Sequence, residues 1–446
     1  IDADKYSSLV NLFDKYTELY QNNTAFINMG TSLTYQELSV QATAFASYLQ
    51  QDLGLLKGDK FAIMIPNILQ YPIALFGVLK AGLTVVNINP LYTPRELQHQ
   101  LKDSGTKGIL ILENFAHVLE KVIDKTDVKH VITTGVGDRL GKFKGTLING
   151  VLKYVKKQVP AYNIANAIKF NQVLAKGSKL TFNPVQVTGQ DLAFLQYTGG
   201  TTGPAKGVML THRNMVANLV QSNEMTRHVF EAGKEIMITA LPLYHVYALT
   251  SNCLCFMAYG GVNLLITNPR DMPGFVKELA KYPFTAITGV NTLFNALLHT
   301  PGFEKLDFSA LKLGFAGGMS VQRPVAELWE KVTGVRLLEG YGLTECAPMV
   351  TMNPYNQESY DGTIGVPASS TDIRLLNDDG EEVAIGEPGE MWVKGPQVMK
   401  GYYNRQEATD EVLIDDWLAT GDIATMDEKG LFRIVDRKKD MIIVSG

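Results

Sequence analysis

The chain has 446 residues, of which 46% are hydrophobic and 19% are charged, and its formal net charge is −4. A single hydrophobic core rarely grows beyond ~250–300 residues, so this length predicts more than one folded unit. The small negative charge gives no reason to propose nucleic acid as a partner, and three cysteines are too few for a disulfide framework and fit a reducing cytosol.

From residue 61 onward, short apolar runs alternate with segments of helical periodicity. The predicted strands of this first series cover residues 61–65, 84–88 and 108–112, and the predicted helices cover 68–81 and 94–104. Apolar runs that are bounded by glycine or proline and separated by helices are typical of βαβ units. The pattern therefore predicts a mostly parallel sheet.

The alternation pauses at about residues 135–190, a segment rich in glycine, lysine and asparagine. Within it, residues 151–160 form a short basic amphipathic stretch. Such a stretch can rest on an anionic membrane surface. A solvated surface helix is the favoured interpretation of this stretch.

A second series of strands and helices runs from residue 192 to about 338. It contains an uncharged run between Glu235 and Arg270, which proline, histidine, asparagine and a glycine pair interrupt. A membrane-spanning helix needs about 20 continuous apolar residues, so this run is predicted to be strand, loop, helix and strand in a deep core. Short strands with close turns then occupy about 360–435.

These patterns predict an α/β fold. A large domain over residues 1–435 is expected to contain two βα-layered subdomains with mostly parallel sheets, at about 1–190 and 191–345. A smaller β-barrel-like subdomain is expected at 346–435. The charged run that follows is interpreted as a linker, so residues 436–446 are predicted to be a hinge and the start of a further domain.

The most informative segment is the loop of residues 197–207, Tyr-Thr-Gly-Gly-Thr-Thr-Gly-Pro-Ala-Lys-Gly, which follows an apolar strand. Glycines allow the backbone to turn sharply and approach a ligand closely, while hydroxyl groups and a lysine can bind anionic oxygens. It is not a Walker A loop, because Gly-Lys-Ser/Thr is missing. A flexible loop is the alternative, but the combination favours a polyphosphate site made of Thr198, Gly199, Gly200, Thr201, Thr202, Gly203 and Lys206.

This loop resembles the phosphate loop of the acyl-adenylate-forming superfamily, which includes acyl-CoA synthetases, luciferases and peptide-synthetase adenylation domains. The proline that usually precedes the lysine stands one position earlier here, as Pro204. Residues 242–245, 338–345, 417–423 and 436–442 resemble, in family order, the substrate-gate, adenine and magnesium, ribose and hinge motifs. The block 417–439 is most similar to the fatty acyl-CoA synthetase signature, and the chain as a whole resembles bacterial long-chain fatty acyl-CoA synthetases.

The resemblance implies a role for each matched position. The implied catalytic residues are Lys206, Thr344, Glu345 and His245, and the implied magnesium ligands are Glu345 and Thr198. Besides the loop, the implied nucleotide contacts are Gly317, Gly318, Glu339, Gly340, Tyr341, Gly342, Thr344, Asp422 and Arg437. The implied fatty-acid pocket contains His245, Tyr247, Leu249, Gly289, Val290, Asn291, Ala316, Gly317 and Met319, and the implied hinge residue is Asp436. Residues 316–319 are expected to follow a strand and open a helix, and Leu249 stands where many long-chain members have a gating tryptophan.

The implied activity is that of an AMP-forming long-chain fatty acid–CoA ligase. ATP, with Mg²⁺, converts a fatty acid to acyl-AMP with release of pyrophosphate, and coenzyme A then accepts the acyl group. One alternative is a fatty acyl-AMP ligase or adenylation domain with a carrier-protein acceptor, and the other is a non-enzymatic nucleotide- or lipid-binding domain. The protein is expected in the cytoplasm, peripherally on the inner face of the cytoplasmic membrane, and the resemblance is compatible with a homodimer.

Both ends of the chain carry an expectation. The chain begins at Ile1 without a visible signal peptide and stops inside the apolar run 441–446. We expect an incomplete N-terminus and a missing C-terminal part, because the resemblance implies a further domain with a catalytic lysine after the hinge.

Overall fold

The computed structural model describes residues 1–198, 204–357 and 359–437. The strands, in chain order, are β1 (Thr24–Asn28), β2 (Thr31–Thr34), β3 (Lys60–Met64), β4 (Thr84–Asn87), β5 (Gly108–Leu112), β6 (His130–Thr134), β7 (Ile168–Lys169), β8 (Leu192–Tyr197), β9 (Gly207–Thr211), β10 (Ile236–Thr239), β11 (Val262–Leu265), β12 (Ala286–Gly289), β13 (Leu313–Ala316), β14 (Leu337–Gly342), β15 (Met349–Met352), β16 (Val366–Pro367), β17 (Asp372–Leu376), β18 (Gly389–Lys394), β19 (Gly401–Tyr402), β20 (Leu413–Ile414), β21 (Trp417–Met426) and β22 (Phe432–Arg437). The helices are α1 (Leu9–Leu19), α2 (Tyr35–Gln51), α3 (Gln70–Lys80), α4 (Pro94–Ser104), α5 (Glu113–Glu120), α6 (Lys142–Gly150), α7 (Phe170–Gly177), α8 (His212–Thr226), α9 (Val246–Ala248), α10 (Cys255–Ala258), α11 (Met272–Leu279), α12 (Asn291–Leu298), α13 (Arg323–Thr333) and α14 (Gln406–Asp410).

Local sequence signals account for several of these bounds. Helix α4 begins where Thr93 and Glu96 form a reciprocal capping box, with Pro94 at the first helical position, and it ends at Gly105 in the left-handed conformation. The predicted helix at 94–104 and the predicted strand at 108–112 are therefore confirmed.

The first sheet has the strand order β19-β9-β8-β4-β3-β5-β6-β7. Its strands from β8 to β7 in that order are parallel, whereas β9 returns antiparallel to β8 and β19 adds antiparallel to β9. The predicted parallel sheet is confirmed. Strand β19 comes from a distant part of the sequence, so this edge joins β9 to residues near 401.

The second sheet has the order β16-β15-β14-β13-β12-β10-β11-β1-β2, and the strands from β14 to β1 in that order are parallel. Ligands of open parallel sheets bind beyond the carboxyl ends of the strands. The two sheets do not separate at residue 190, because β1 and β2 pair in the second sheet and β8 and β9 in the first. Sheet membership is decided by pairing between strands that are distant in sequence.

The third sheet is antiparallel, with the order β17-β18-β21-β20 and with β22 paired to β21. Within the described ranges its strands form an open sheet, which corrects the expected barrel-like shape. A second correction concerns residues 316–319. Strand β13 ends at Ala316 as expected, but α13 begins only at Arg323, and residues 317–322 form a turn.

The uncharged run between Glu235 and Arg270 folds as β10, a helical segment and β11, as predicted. The helical segment consists of α9 and α10, joined by a π-helical stretch at Leu249–Leu254, and its core-facing side contains the buried thiols of Cys253 and Cys255. Across the ranges that the structure describes, no helix has the length and apolar character required to cross a bilayer.

A buried histidine makes the stability of this fold depend on pH. The Nδ1 atom of His212 accepts a hydrogen bond from the backbone N–H of Leu9 (3.2 Å), and burial lowers the pKa of this imidazole from 6.5 to about 4. Below pH 6.5 the unfolded chain therefore binds a proton that the folded chain excludes, so stability falls with pH until about pH 4. At pH 5 the expected loss from this group is about 2 kcal/mol of unfolding free energy.

Urea unfolding at pH 7 and pH 5 checks this expectation with the variant His212→Asn, whose side-chain oxygen can accept the same hydrogen bond. The variant is expected to be less stable at pH 7 but to lose about 2 kcal/mol less than the wild type on acidification. Equal losses in both proteins would show that His212 does not titrate on unfolding in this range.

Candidate active site

A cavity of about 270 Å³ lies at the carboxyl ends of the parallel strands of the second sheet. Residues that follow β10, β12 and β13, together with the end of β14, form its wall, as expected for this kind of sheet. The predicted site residues that line it are His245, Tyr247, Val290, Gly317, Gly318, Gly340, Tyr341, Gly342 and Thr344.

Several predicted pocket residues do not line this cavity. Leu249 and Ala316 are completely buried in the hydrophobic cores, and Gly289 packs so closely on Phe294 that a Cβ atom would lie 2.8 Å from its ring. Met319 is 66% exposed to solvent. Leu249, at the expected gate position, therefore packs in the hydrophobic core.

Glu339 and Asn291, which were predicted as nucleotide and pocket contacts, direct their side chains to the turn at 317–322. One carboxylate oxygen of Glu339 accepts a hydrogen bond from the backbone N–H of Val321 (2.7 Å), and burial raises the pKa of this carboxyl group. The side-chain oxygen of Asn291 accepts one from the N–H of Gln322 (3.0 Å). These contacts fix the turn that brings Gly317 and Gly318 to the cavity.

An aspartate–tyrosine pair forms one polar arm of the site. The hydroxyl of Tyr341 donates to a carboxylate oxygen of Asp422 (2.5 Å), which β21 of the third sheet carries. Burial and the negative charge of Asp422 together hold the pKa of Tyr341 well above its ordinary value, so its hydroxyl stays protonated. The other oxygen of Asp422 lies 3.5 Å from Nε of Arg437. The structure thus brings together three residues that stand far apart in sequence.

A second polar arm runs from Thr344 to Lys206. Glu345 follows Thr344, and its carboxylate accepts a hydrogen bond from the hydroxyl of Tyr402 (2.7 Å). The ring of Tyr402 also lies beneath the Nζ atom of Lys206, at 4.6 Å from the ring centre. One tyrosine therefore contacts both a predicted metal ligand and a predicted phosphate ligand.

The base of the predicted phosphate loop is held firmly. Strands β8 and β9 pair up to Tyr197 and Gly207, and the N–H of Thr198 donates to the carbonyl of Lys206 (3.1 Å). The N–H of Tyr403 donates to the carbonyl of Gly207 (2.8 Å), so strand β19 braces the same base. The predicted contacts Gly199, Gly200, Thr201, Thr202 and Gly203 lie outside the described residues.

The turn that carries His245 is positioned by Asn67, which lies between β3 and α3. The amide of Asn67 donates to the carbonyl of Leu241 (2.9 Å), and its oxygen accepts the N–H of Leu243 (2.9 Å). His245 itself is exposed at the mouth of the cavity, and crowding by nearby protein atoms lowers the pKa of its imidazole. A lowered pKa keeps the ring neutral at pH 7.

Sequence reasoning missed several residues of the site, among them Ser251, Met349 and Tyr402. Ser251 and Met349 line both the main cavity and a smaller one of about 40 Å³ behind it, as does Phe315. The spacing of Ser251, four residues after Tyr247, is a signal that could have found it. Met349 and Tyr402 carried no such local signal, because only β15 and β19 bring them to the site.

Comparison with known proteins shows the family to which the chain belongs. The family described as AMP-binding enzyme matches residues 13–403, so the chain belongs to the AMP-binding enzyme family, which confirms the predicted superfamily. One relative is the long-chain-fatty-acid–CoA ligase of Yersinia pestis, which is 61% identical over 446 residues, covering 100% of this chain and 79% of that protein.

Two solved structures support the fold. The structure of an anthranilate CoA ligase in complex with anthranoyl-AMP superimposes with a TM-score of 0.86 at 20% identity, covering 100% of this chain and 81% of that one, and shows the fold alone. A long-chain-fatty-acid-CoA ligase from Archaeoglobus fulgidus superimposes with a TM-score of 0.83 at 26% identity, covering 97% and 84% of the two chains.

Proposed function

We propose that this protein is an AMP-forming long-chain fatty acid–CoA ligase. It activates a fatty acid with ATP, releases pyrophosphate, and transfers the acyl group from acyl-AMP to coenzyme A. The observation that carries the proposal is the cavity itself, which has polar groups such as Thr344 at its wall and shares the apolar side chains of Phe315 and Met349 with a smaller cavity. The named activity of the Yersinia pestis relative supports the choice of a fatty acid.

In the first half-reaction the fatty-acid carboxylate attacks the α-phosphorus of ATP, and negative charge develops on phosphate oxygens. Positioning and electrostatic stabilisation then supply the catalysis. Lys206 and the loop that it ends hold the β- and γ-phosphates, and Thr344 holds the α-phosphate. Asp422 accepts hydrogen bonds from the ribose hydroxyls, with Arg437 beside it. The backbone at Gly317 and Gly318 allows close approach of the adenine.

The donor set fits a magnesium ion at Glu345. Magnesium in phosphate-transferring sites is held by one or two carboxylates together with the phosphates of the substrate. The hydrogen bond from Tyr402 fixes one oxygen of the Glu345 carboxylate, and the hydroxyl of Thr198 at the base of the loop is a second oxygen donor. When bound, the ion neutralises phosphate charge.

The acyl end of the site is built by His245 and Tyr247. The neutral imidazole of His245 can donate a hydrogen bond to the substrate carboxylate at the mouth of the cavity. The hydroxyl of Tyr247 donates to the carbonyl of Phe315 (3.0 Å), which fixes its ring against Gly317. The hydrocarbon chain then has an apolar path inward.

Coenzyme A serves the second half-reaction, with movement about Asp436. We place the protein in the cytoplasm, peripherally on the inner face of the cytoplasmic membrane, because its fatty-acid substrate partitions into bilayers. A homodimer is compatible with this arrangement.

The assay that tests the function uses protein expressed from the complete gene. Pyrophosphate release is expected to require ATP and a long-chain fatty acid, and acyl-CoA is expected by mass spectrometry when coenzyme A is added. Pyrophosphate release without acyl-CoA would instead assign the protein to the ligases that load a carrier protein. Absence of both products would overturn the proposal.

A further inference from the structure

The charges of the chain are divided unevenly along the sequence. Residues 139–190 contain no aspartate or glutamate, although the whole chain has a net charge of −4. The same segment contains Arg139, Lys142, Lys144, Lys153, Lys156, Lys157, Lys169, Lys176 and Lys179. Such a concentration of one sign indicates an anionic partner.

The most exposed apolar side chains of the described structure lie in the same place. Phe143 is 96% exposed, Tyr154 and Val155 are 73% exposed, and Leu147 is 68% exposed. Among the large apolar side chains in the described ranges, these are four of the five most exposed, and the fifth is Leu56 at 71%. Aqueous solvation alone does not explain this clustering, because isolated exposed apolar residues are normal whereas grouped ones mark interaction sites.

Three of these four side chains share one face of a single helical segment. Helix α6 continues through a π-helical turn at Val151–Val155, and we call residues 142–157 the basic helix. Positions 143, 147 and 154 fall on the same side at helical spacing, opposite the packed side that contains Gly145, Ile148 and Leu152. The segment therefore has two apolar faces. One packs on the protein, and the other is exposed to solvent.

The protein body fixes the orientation of the basic helix. Gly145 packs directly on Gly137, where an added Cβ atom would lie 2.1 Å from the carbonyl oxygen of Gly137. The side-chain oxygen of Asn149 accepts the N–H of Gly137 (2.7 Å), and its amide donates to Asp138 (2.8 Å). The outward apolar face is therefore presented by a fixed element and not by a loose loop.

The acidic groups next to the basic helix are already engaged. Asp138 accepts hydrogen bonds from Asn149 and Gly135, and Glu113 forms an ion pair with Lys169. Within the described ranges, Lys153, Lys156 and Lys157 form no ion pair and are exposed, and the Nζ atom of Lys144 donates to the carbonyl of Met29. The positive charge of the face is therefore available to a partner.

We propose that the outward face of the basic helix docks the protein on the anionic surface of a lipid bilayer. Phe143, Leu147 and Tyr154 enter the boundary between headgroups and acyl chains, and the flanking lysines contact anionic headgroups. A symmetric contact between two copies through this face would bring two arrays of positive charge together, so a bilayer is the better occupant. The inference rests on the proposed peripheral location and names the surface that contacts the bilayer. No residue of the basic helix lines the cavity, so a loss of vesicle binding and a loss of catalytic activity can be told apart.

Co-sedimentation with vesicles tests the proposal, without ATP or fatty acid. Binding is expected to vesicles that contain phosphatidylglycerol and phosphatidylcholine, to weaken on addition of salt, and to be weak on pure phosphatidylcholine. Changing Lys153, Lys156 and Lys157 to glutamate is expected to lower the partition coefficient at least 100-fold, because each lysine near the surface contributes about fivefold. Phe143→Ser with Leu147→Ser is expected to lower it at least tenfold at unchanged charge.

The control variant has the same charge change elsewhere. Lys277, Lys331 and Lys429 are exposed and distant in sequence, and their replacement by glutamate is expected to change binding less than threefold. Thermal melting of each variant verifies that it folds. Equal loss of binding in the control and the basic-helix variants, binding independent of anionic lipid, or a monomer–dimer equilibrium that Phe143→Ser abolishes would each overturn the proposal.

Discussion

Replacement of Glu345 by glutamine is expected to slow acyl-AMP formation about 100- to 1,000-fold. The amide keeps the size of the side chain and can still accept the hydrogen bond of Tyr402, but it loses the negative charge with which the carboxylate attracts magnesium. Fatty-acid-dependent pyrophosphate release measures the effect. The rate of the variant is expected to recover only in part when Mg²⁺ is raised.

The matched control for this prediction is Tyr402→Phe. This variant keeps the aromatic ring beneath the ammonium group of Lys206 and removes only the hydroxyl that orients Glu345. Loss of one hydrogen bond to a charged group predicts about a tenfold lower rate, with a higher Mg²⁺ requirement. If Glu345→Gln retained the wild-type rate, the assignment of Glu345 as a metal ligand would be wrong.

The second large effect is expected from Ser251→Phe, which should shift the preference of the enzyme for the chain length of its acid substrate. Ser251 lines both the cavity of about 270 Å³ and the smaller one, so a large side chain here is expected to block the passage of a hydrocarbon chain from one to the other. If closure excludes about four methylene groups at ~0.8 kcal/mol each, kcat/KM for a long acid falls roughly 200-fold. A short acid that ends before this point is expected to lose less than threefold.

Ser251→Ala is the control, since it keeps the path open and should leave the preference unchanged. Rates with a series of acids of increasing length separate the outcomes. A uniform loss across all lengths, with a normal melting temperature, would mean that the hydrocarbon chain takes another route.

Much of the fold was accessible from local patterns. The capping box and terminal glycine of α4 placed that helix correctly, and the alternation of apolar runs and helices predicted parallel sheets. These signals are local, since a cap or a periodic face needs only neighbouring residues. The pairing of β1 with β11 had no such signal, and therefore the boundary at residue 190 does not separate the sheets.

The candidate site shows the same division. The motif matches identified Tyr341, Thr344 and Asp422 as site residues, and the structure brings Tyr341 and Asp422 into contact through β14 and β21. The same motif also suggested Glu339 as a nucleotide contact, but its carboxylate binds the turn at 317–322, a non-local partner that the motif does not encode. Glu339 accepts the N–H of Val321, while Tyr341, two residues further along β14, donates to Asp422.

The sequence alone determined the family, and it predicted a phosphate-binding role for the 197–207 loop and the residue types of the site, because these depend on the identity and spacing of neighbouring residues. Only the tertiary structure decided which side chains meet. The contact of Tyr402 with Glu345 and Lys206 exists because β19 adds to the edge of the first sheet, and the outward apolar face of the basic helix exists because Gly145 packs on Gly137. Both depend on non-local packing, which no short pattern encodes.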